Sequence, residues 1–139
     1  MGKEEEITRN LTMIEYYKEQ LNSIDMQAQY LQVAITDFHK AKITVEQLHN
    51  AADKSEILIP IGGGAFLNGI LTDHSKVLVD IGAGLVTEKT VDDAVKKIEE
   101  RIKILRENQE KLISMAQKLE NDATELSQKT QKMMNDTQQ

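Results

Sequence analysis

The sequence lacks cysteine and tryptophan altogether and contains a single proline among its 139 residues. Without cysteine, neither a disulfide framework nor a thiolate metal site is possible. Aromatic residues make up only 4%, whereas a compact globule of this size normally anchors its core on more large rings. The sequence is instead rich in Glu, Lys, Gln, Leu and Ile, a composition that suits long amphipathic helices. We therefore expect a mainly helical chain of the α+β class.

Charge and hydropathy exclude two further classes. The net charge is −6 and no segment is basic, whereas a nucleic-acid surface needs clustered Lys and Arg. No apolar run reaches the roughly 18 residues of a membrane span. The acidic start of the chain is the reverse of the basic head and apolar stretch of a signal peptide. We expect a cytoplasmic protein that binds neither nucleic acid nor membrane.

The last third, residues 91–139, carries the strongest pattern in the sequence. Apolar residues recur there at alternating steps of four and three, and only Gln109 and Thr130 interrupt them with polar side chains. Such spacing predicts the seam of a coiled coil. Thr90 precedes this helix as a hydroxyl N-cap. The seam positions are Val91, Val95, Ile98, Ile102, Leu105, Gln109, Leu112, Ala116, Leu119, Ala123, Leu126, Thr130 and Met133.

The first third, residues 1–54, carries a matching stripe, and residues 4–53 contain neither Pro nor Gly to break a helix. A short step between Phe38 and Ala41 should locally overwind the coil. Upstream, Ile7 and Leu11 extend the apolar side. The remaining positions are Ile14, Tyr17, Leu21, Ile24, Ala28, Leu31, Ile35, Phe38, Ala41, Val45, Leu48 and Ala52.

Two helices of nearly equal length, one before and one after a non-helical middle, most simply pair as an antiparallel coiled-coil hairpin. That pairing predicts Phe38 near Leu105, and it brings both chain termini together. It also places Leu11 near Met133.

The middle, residues 55–90, predicts four short strands in two β-hairpins. Runs rich in Ile, Val and Leu alternate there with glycine clusters and a polar turn. Pro60 cannot donate a ladder hydrogen bond, which places it at an edge or a bulge. About 35 residues are too few to bury two sheet faces, so other chains must cover them. The expected assembly residues are Ile57, Leu58, Ile59, Ile61, Phe66, Leu67, Val77, Val79 and Ile81.

No catalytic or cofactor site is evident in the sequence. Gly64 and Gly69 have the spacing of a phosphate-binding loop, but Ile70 occupies the position of the essential lysine. The three histidines have no metal-ligand spacing. Hairpin turns that require positive φ explain the glycines without a bound nucleotide. We therefore expect no enzymatic activity, no cofactor and no metal.

The order of these segments resembles that of archaeal alpha-type prefoldin subunits over nearly the whole chain. A heptad helix leads into Ile57-Leu58-Ile59-Pro60-Ile61-Gly62-Gly63-Gly64-Ala65-Phe66-Leu67-Asn68-Gly69. Then follow Val77-Leu78-Val79-Asp80-Ile81-Gly82-Ala83-Gly84 and Glu88-Lys89-Thr90-Val91-Asp92-Asp93-Ala94 before the second helix. Four strands fit the alpha type, because the beta type has one hairpin between its helices. Leu85 departs from the aromatic or small residue that is common after the glycine.

The resemblance implies an ATP-independent holding chaperone. Two alpha-type and four beta-type subunits would form a hexamer, with their hairpins joined into β-barrels. The coiled-coil arms would hold unfolded client proteins by their distal tips and inner surfaces and pass them to a group II chaperonin. The residues expected at the tip are Ile7, Leu11, Met13, Ile14, Leu126, Met133 and Met134. The alternative is a structural coiled-coil scaffold that shares the fold but does not hold clients.

Overall fold

The computed structural model describes residues 2–138, with the side chain of Gln138 excepted. Helix α1 spans Gly2–His49 and helix α2 spans Val91–Gln138, each 48 residues long. Between them lie four strands, β1 (Glu56–Gly62), β2 (Ala65–Ile70), β3 (Lys76–Asp80) and β4 (Val86–Thr90). The predicted α+β architecture of two long helices joined by four short strands is confirmed.

The ends of the two helices follow from local hydrogen bonds. The backbone amide of Asp93 donates to Thr90 Oγ1 at 3.2 Å, which is the predicted hydroxyl cap at the start of α2. Helix α1 ends at His49, earlier than the predicted run to about residue 53, and Ala52 is exposed. Its last carbonyls accept from Asn50 and Ala51 three residues later, and such i→i+3 bonds tighten and close a final turn.

The described chain divides into two compact units. The first comprises residues 2–34 and 105–138, which are segments of α1 and α2. Its seam is lined by the predicted positions of both helices except Leu11, and Ile24 is buried there. The two polar residues predicted on the α2 seam both make hydrogen bonds. Gln109 Nε2 donates to Gln32 Oε1 across the seam at 3.0 Å, and Thr130 Oγ1 donates to the Leu126 carbonyl at 2.6 Å.

The second unit, residues 35–104, contains the four strands and the adjoining ends of the helices. Its seam buries Ile35, Val91, Ala94, Ile98 and Ile102. The helices pair in an antiparallel direction, because Lys42 contacts Glu99 at 3.0 Å, whereas Phe38, earlier on α1, lies beside Arg101, later on α2.

The predicted short step at Ala41 is wrong. Ala41 is exposed, while Lys42 is half-buried and continues the regular spacing from Phe38 to Val45. A lysine can occupy such a position because its aliphatic stem covers the seam while its ammonium reaches a carboxylate. The alternation of steps therefore continues from Ile35 to Val45, and the short step lies instead between Val45 and Leu48, which is half-buried.

The four strands form two separate antiparallel hairpins in the described chain, β1 with β2 and β3 with β4. The register of the first pairs Ile57 with Gly69 and Pro60 with Phe66, and it shifts between Pro60 and Gly62. This irregularity beside Pro60 agrees with the edge or bulge position predicted from the missing amide of the proline. Positive φ angles at the turn residues Gly62, Gly63 and Gly64 account for the triple glycine.

Within residues 2–138, no helix is both long enough and apolar enough to cross a membrane.

Candidate functional site

The first candidate surface is the end of the coiled coil that carries both chain termini. We name residues 2–14 of α1 and 126–138 of α2 the coil tip. Asn10 Nδ2 lies 3.9 Å from Met133 Sδ, and Lys129 Nζ lies 3.7 Å from Glu6 Oε1. These contacts bring the beginning of α1 beside the end of α2, as the antiparallel pairing predicts.

The predicted tip residues fall into two groups. Ile7, Ile14, Leu126 and Met133 are half-buried on the seam. The other three are exposed to solvent, namely Leu11 at 48%, Met13 at 44% and Met134 at 37%. The second group is therefore open to contact by another molecule without unpairing the helices.

The expected seam position of Leu11 is wrong. Asn10 occupies that place and contacts Met133, because steps of three and four from Ile7 through Asn10 to Ile14 continue the heptad. Leu11 lies one position farther around the helix and is consequently exposed. Leu11 is apolar and Asn10 is polar, so hydrophobicity by itself predicts the wrong one of these two neighbours.

Exposed apolar side chains continue from the tip along α1. One groove on this helix is lined by Thr8, Arg9, Thr12, Met13 and Tyr16. A second is lined by Met26, Gln29, Tyr30 and Val33. Met26, Tyr30 and Val33 are spaced by four and three residues, so they share one stripe of the helix surface. All three are more than half exposed, as expected for residues outside the seam pattern.

The second candidate surface is the β1–β2 hairpin, which is apolar and exposed on both faces. Alternation puts Ile57 and Ile59 on one face and Leu58 on the other, and Ile61 lies at the irregular pairing that follows Pro60. Of these, Leu58, Ile59 and Ile61 are exposed, as are Phe66 and Leu67 on the partner strand. Gly69 lies opposite Ile57, and a Cβ added there would approach Ile59 Cδ1 to 3.0 Å. The glycine thus leaves room for the isoleucine side chains.

The β3–β4 hairpin has two unlike faces. Val77 and Val79 on β3 are half-buried, together with their cross-strand partners Lys89 and Thr87. The opposite face exposes Leu78 at 72% and also exposes Val86. Ile81, which follows β3, is exposed as well.

Four exposed apolar residues in the middle segment were not predicted as assembly residues: Ile70, Leu78, Leu85 and Val86. Alternation along the strand could have identified Leu78, since its neighbours Val77 and Val79 must face the other way. Ile70 could have been found by the same rule, because it is two residues from Asn68 and four from Phe66 on one face.

Polar side chains in and beside the middle segment, residues 55–90, make hydrogen bonds at its turns. His74 Nε2 lies 2.7 Å from Asp53 Oδ1. Asp73 Oδ1 accepts hydrogen bonds from the Ser75 backbone amide at 2.9 Å and from Ser75 Oγ at 2.6 Å. These bonds hold the pKa of Asp73 below its ordinary value, with the Ser75 hydroxyl as the largest cause. No cluster of three His, Asp or Glu residues suited to a metal ion occurs within residues 2–138.

Paired long helices joined by two exposed apolar β-hairpins define a class of protein, the coiled-coil subunits that carry β-hairpins between their helices. The sequence matches the prefoldin subunit family over residues 17–136, which is most of the chain. The chain therefore belongs to the prefoldin family, a family of chaperone subunits.

Curated relatives agree with the predicted alpha type. The chain is 30% identical to a prefoldin subunit alpha of Archaeoglobus fulgidus over 128 residues, covering 92% of this chain and 93% of the relative. It is also 32% identical to a prefoldin subunit alpha of Pyrococcus horikoshii, covering 74% of this chain and 70% of the relative. The resemblance to archaeal alpha-type subunits is confirmed.

Solved structures share the fold. A filamentous prefoldin from Methanocaldococcus jannaschii superposes with a TM-score of 0.60 at 23% identity, covering 88% of this chain and 96% of that one. The prefoldin beta subunit from Thermococcus strain KS-1 gives a TM-score of 0.59 at 21% identity, covering 91% of this chain and 90% of that one. At these identities the similarity concerns the fold alone.

Proposed function

We propose that this chaperone subunit holds unfolded client proteins without ATP and that the coil tip is a contact site. The observation that supports the proposal is the exposure of Leu11, Met13 and Met134 beside paired helix ends. Methionine is flexible and polarizable, so it adapts to client segments of many shapes. Terminal helical turns also open more easily than interior ones, which would enlarge the apolar area on offer.

Assembly is proposed to occur through the hairpins. Both faces of β1–β2 and one face of β3–β4 expose aliphatic side chains that this chain does not cover. Beta-type prefoldin subunits are the proposed partners, in a hexamer of two alpha-type and four beta-type chains whose strands close into β-barrels. Closing a barrel would pair the free strand edges, which are otherwise prone to aggregation. We propose the cytoplasm as the compartment and a group II chaperonin as the recipient of the client.

The test uses the complex of this chain with a beta-type subunit, verified by native mass. A chemically denatured client is diluted into buffer without ATP, and its aggregation is followed by light scattering. We expect suppressed scattering at a near-stoichiometric amount of complex. Full scattering with several unrelated clients, despite an intact hexamer, would contradict the holding function.

A trimmed chain lacking residues 1–14 and 126–139 tests the site. It should still assemble, because the proposed assembly surface lies within residues 55–90. We expect it to lose client holding. A trimmed complex that holds clients as well as the intact complex would falsify the assignment of the coil tip.

A structural scaffold without client binding is the second candidate. The observation that favours it is the continuation of the seam to Met133, with Asn10 and Lys129 making contacts across it. A scaffold would have a coil that stays paired to its ends. Amide hydrogen exchange at the coil tip distinguishes the two, since a scaffold should protect these amides as strongly as those near Ile24.

A further inference from the structure

We propose that Arg101 is the positioning residue that fixes the β3–β4 hairpin against the helices, so that its Leu78 and Val86 face is presented to partner subunits. This inference rests on the proposed assembly through the hairpins. The contacts that carry it all lie within the compact unit of residues 35–104.

The guanidinium of Arg101 contacts two other elements at once. Its Nη2 donates a hydrogen bond to the backbone carbonyl of Asp80, at the end of β3, at 3.1 Å. Its central carbon lies 5.9 Å from the centroid of the Phe38 ring on α1. An arginine can make both contacts because its planar group stacks on a ring face while its edge N–H groups donate. One side chain of α2 therefore joins α1 to β3.

Strand β3 is held to α2 at its two ends. The Val91 amide donates to the Ser75 carbonyl just before β3, at 3.3 Å, and Arg101 binds Asp80 at the end of the strand. The five residue steps from Ser75 to Asp80 span about 17 Å in an extended strand. The ten residue steps from Val91 to Arg101 span about 15 Å along a helix. These lengths match, so β3 lies alongside the first three turns of α2.

The consequence is a fixed orientation of the hairpin. The Val77 and Val79 face is half-buried, and the Leu78 and Val86 face is exposed. The attachment at Val91 is a backbone bond that no side-chain substitution removes directly. The attachment at Asp80 depends on a single side chain. Loss of Arg101 should therefore free one end of β3 and let the hairpin pivot about the other.

Amide hydrogen exchange on the full-length chain measures this attachment directly. The variant Arg101→Ala should exchange about ten-fold faster in strands β3 and β4, the scale of one hydrogen bond to a charged group. Amides of β1 and β2 in the same sample serve as an internal reference. Lys103→Ala is the matched control, since Lys103 is an exposed cation two residues away on α2.

The conservative variant Arg101→Lys separates positioning from bulk packing. Lysine keeps the charge and can donate to the Asp80 carbonyl, but it has no planar group to lie over the Phe38 ring. We expect the amide exchange rates of β3 and β4 in Arg101→Lys to lie between those of the wild type and those of Arg101→Ala. Circular dichroism should show unchanged helix content in both variants. This variant also keeps the test decisive if Arg101→Ala does not fold.

Titration of the beta-type subunit, followed by native mass, gives the functional result. We expect Arg101→Ala to need about ten-fold more partner for half assembly, and Lys103→Ala to match the wild type. Exchange in β3 and β4 of Arg101→Ala within two-fold of the control would overturn the positioning role. So would assembly equal to the control despite faster exchange. If the wild-type chain does not assemble, the proposed assembly is wrong while the exchange result still decides whether Arg101 fixes the hairpin.

Discussion

The apolar residues of the helical seam and those of the β-hairpins differ in how far they are buried. Every buried apolar residue of the described chain belongs to a helix, and none belongs to a strand. The strands are richer in Ile, Leu and Val than the helices, yet most of these side chains are exposed. Each helix therefore covers the seam of the other within this chain, whereas the hairpins keep apolar surface that this chain does not cover.

The two hairpins also differ from each other. β3–β4 has one half-buried face and one exposed face, whereas β1–β2 exposes apolar residues on both faces. A strand that is apolar on both faces is typical of a sheet covered on both sides. We infer that β1–β2 relies more heavily on assembly than β3–β4 does.

The largest effect on the chain itself should come from the seam. Ile35 is 3% exposed, so Ile35→Ala removes buried methyl groups and leaves a cavity. We expect a loss of about 3 kcal/mol in the free energy of unfolding. The thermal unfolding midpoint, measured by circular dichroism, should fall by roughly 10 °C. Val33→Ala, two residues away and exposed, should change the free energy of unfolding by less than about 0.5 kcal/mol. Equal shifts in the two variants would contradict the seam assignment.

The next largest effect should come from the doubly exposed hairpin. Leu58→Ser combined with Phe66→Ser removes two large apolar side chains from one face of β1–β2. If assembly buries both, affinity for partner subunits should fall by at least about 100-fold. Helix content should stay unchanged, because the seam lies elsewhere.

Native mass at a series of concentrations measures that loss of affinity. Ile43→Ser is the matched control, because Ile43 is an exposed aliphatic residue of α1 outside the hairpins. Assembly that survives the hairpin double substitution as well as it survives Ile43→Ser would contradict the distinction between the two regions.

The fold was largely predictable from the sequence, because heptad spacing and glycine-bounded strands are local signals. Thr90 as cap and Pro60 beside an irregular pairing both followed from backbone chemistry. Errors arose where hydrophobicity conflicted with spacing. Asn10 and Lys42 occupy places expected for Leu11 and Ala41, because steps of three and four set the geometry and polar side chains found partners there.

The candidate site was harder to predict than the fold. Seam spacing separates half-buried residues such as Ile14 from exposed ones such as Met13, but it does not show which exposed residues bind another molecule. The contact of Arg101 with Asp80 joins residues 21 positions apart in sequence, so no local pattern reveals it. Leu78 is exposed between Val77 and Val79, and strand alternation alone does not tell which of the two faces is left uncovered.

A smaller effect separates the two groups of tip residues. Met13→Ser with Met134→Ser should weaken client holding about three-fold while leaving thermal stability unchanged, because both side chains are exposed. Ile14→Ser is the contrasting variant, since Ile14 is half-buried on the seam and its loss should lower the unfolding midpoint. Light scattering with denatured client and thermal unfolding are measured on the same samples. Undiminished holding by the methionine double variant would exclude these two residues as client contacts.

The smallest effect concerns the turn before β3. The hydroxyl and amide of Ser75 bind the Asp73 carboxylate and lower its pKa from 3.8. The unfolded state therefore binds more protons in acid, and this contribution to stability is complete above about pH 4 and lost as pH falls through the folded pKa. In Ser75→Ala the hydroxyl bond is absent but the backbone amide remains, so the pKa of Asp73 should rise only part of the way to its ordinary value. A side-chain NMR titration measures the shift. Because Asp73 is exposed, stability at neutral pH should hardly change, and identical titrations in both proteins would show that the hydroxyl contributes nothing.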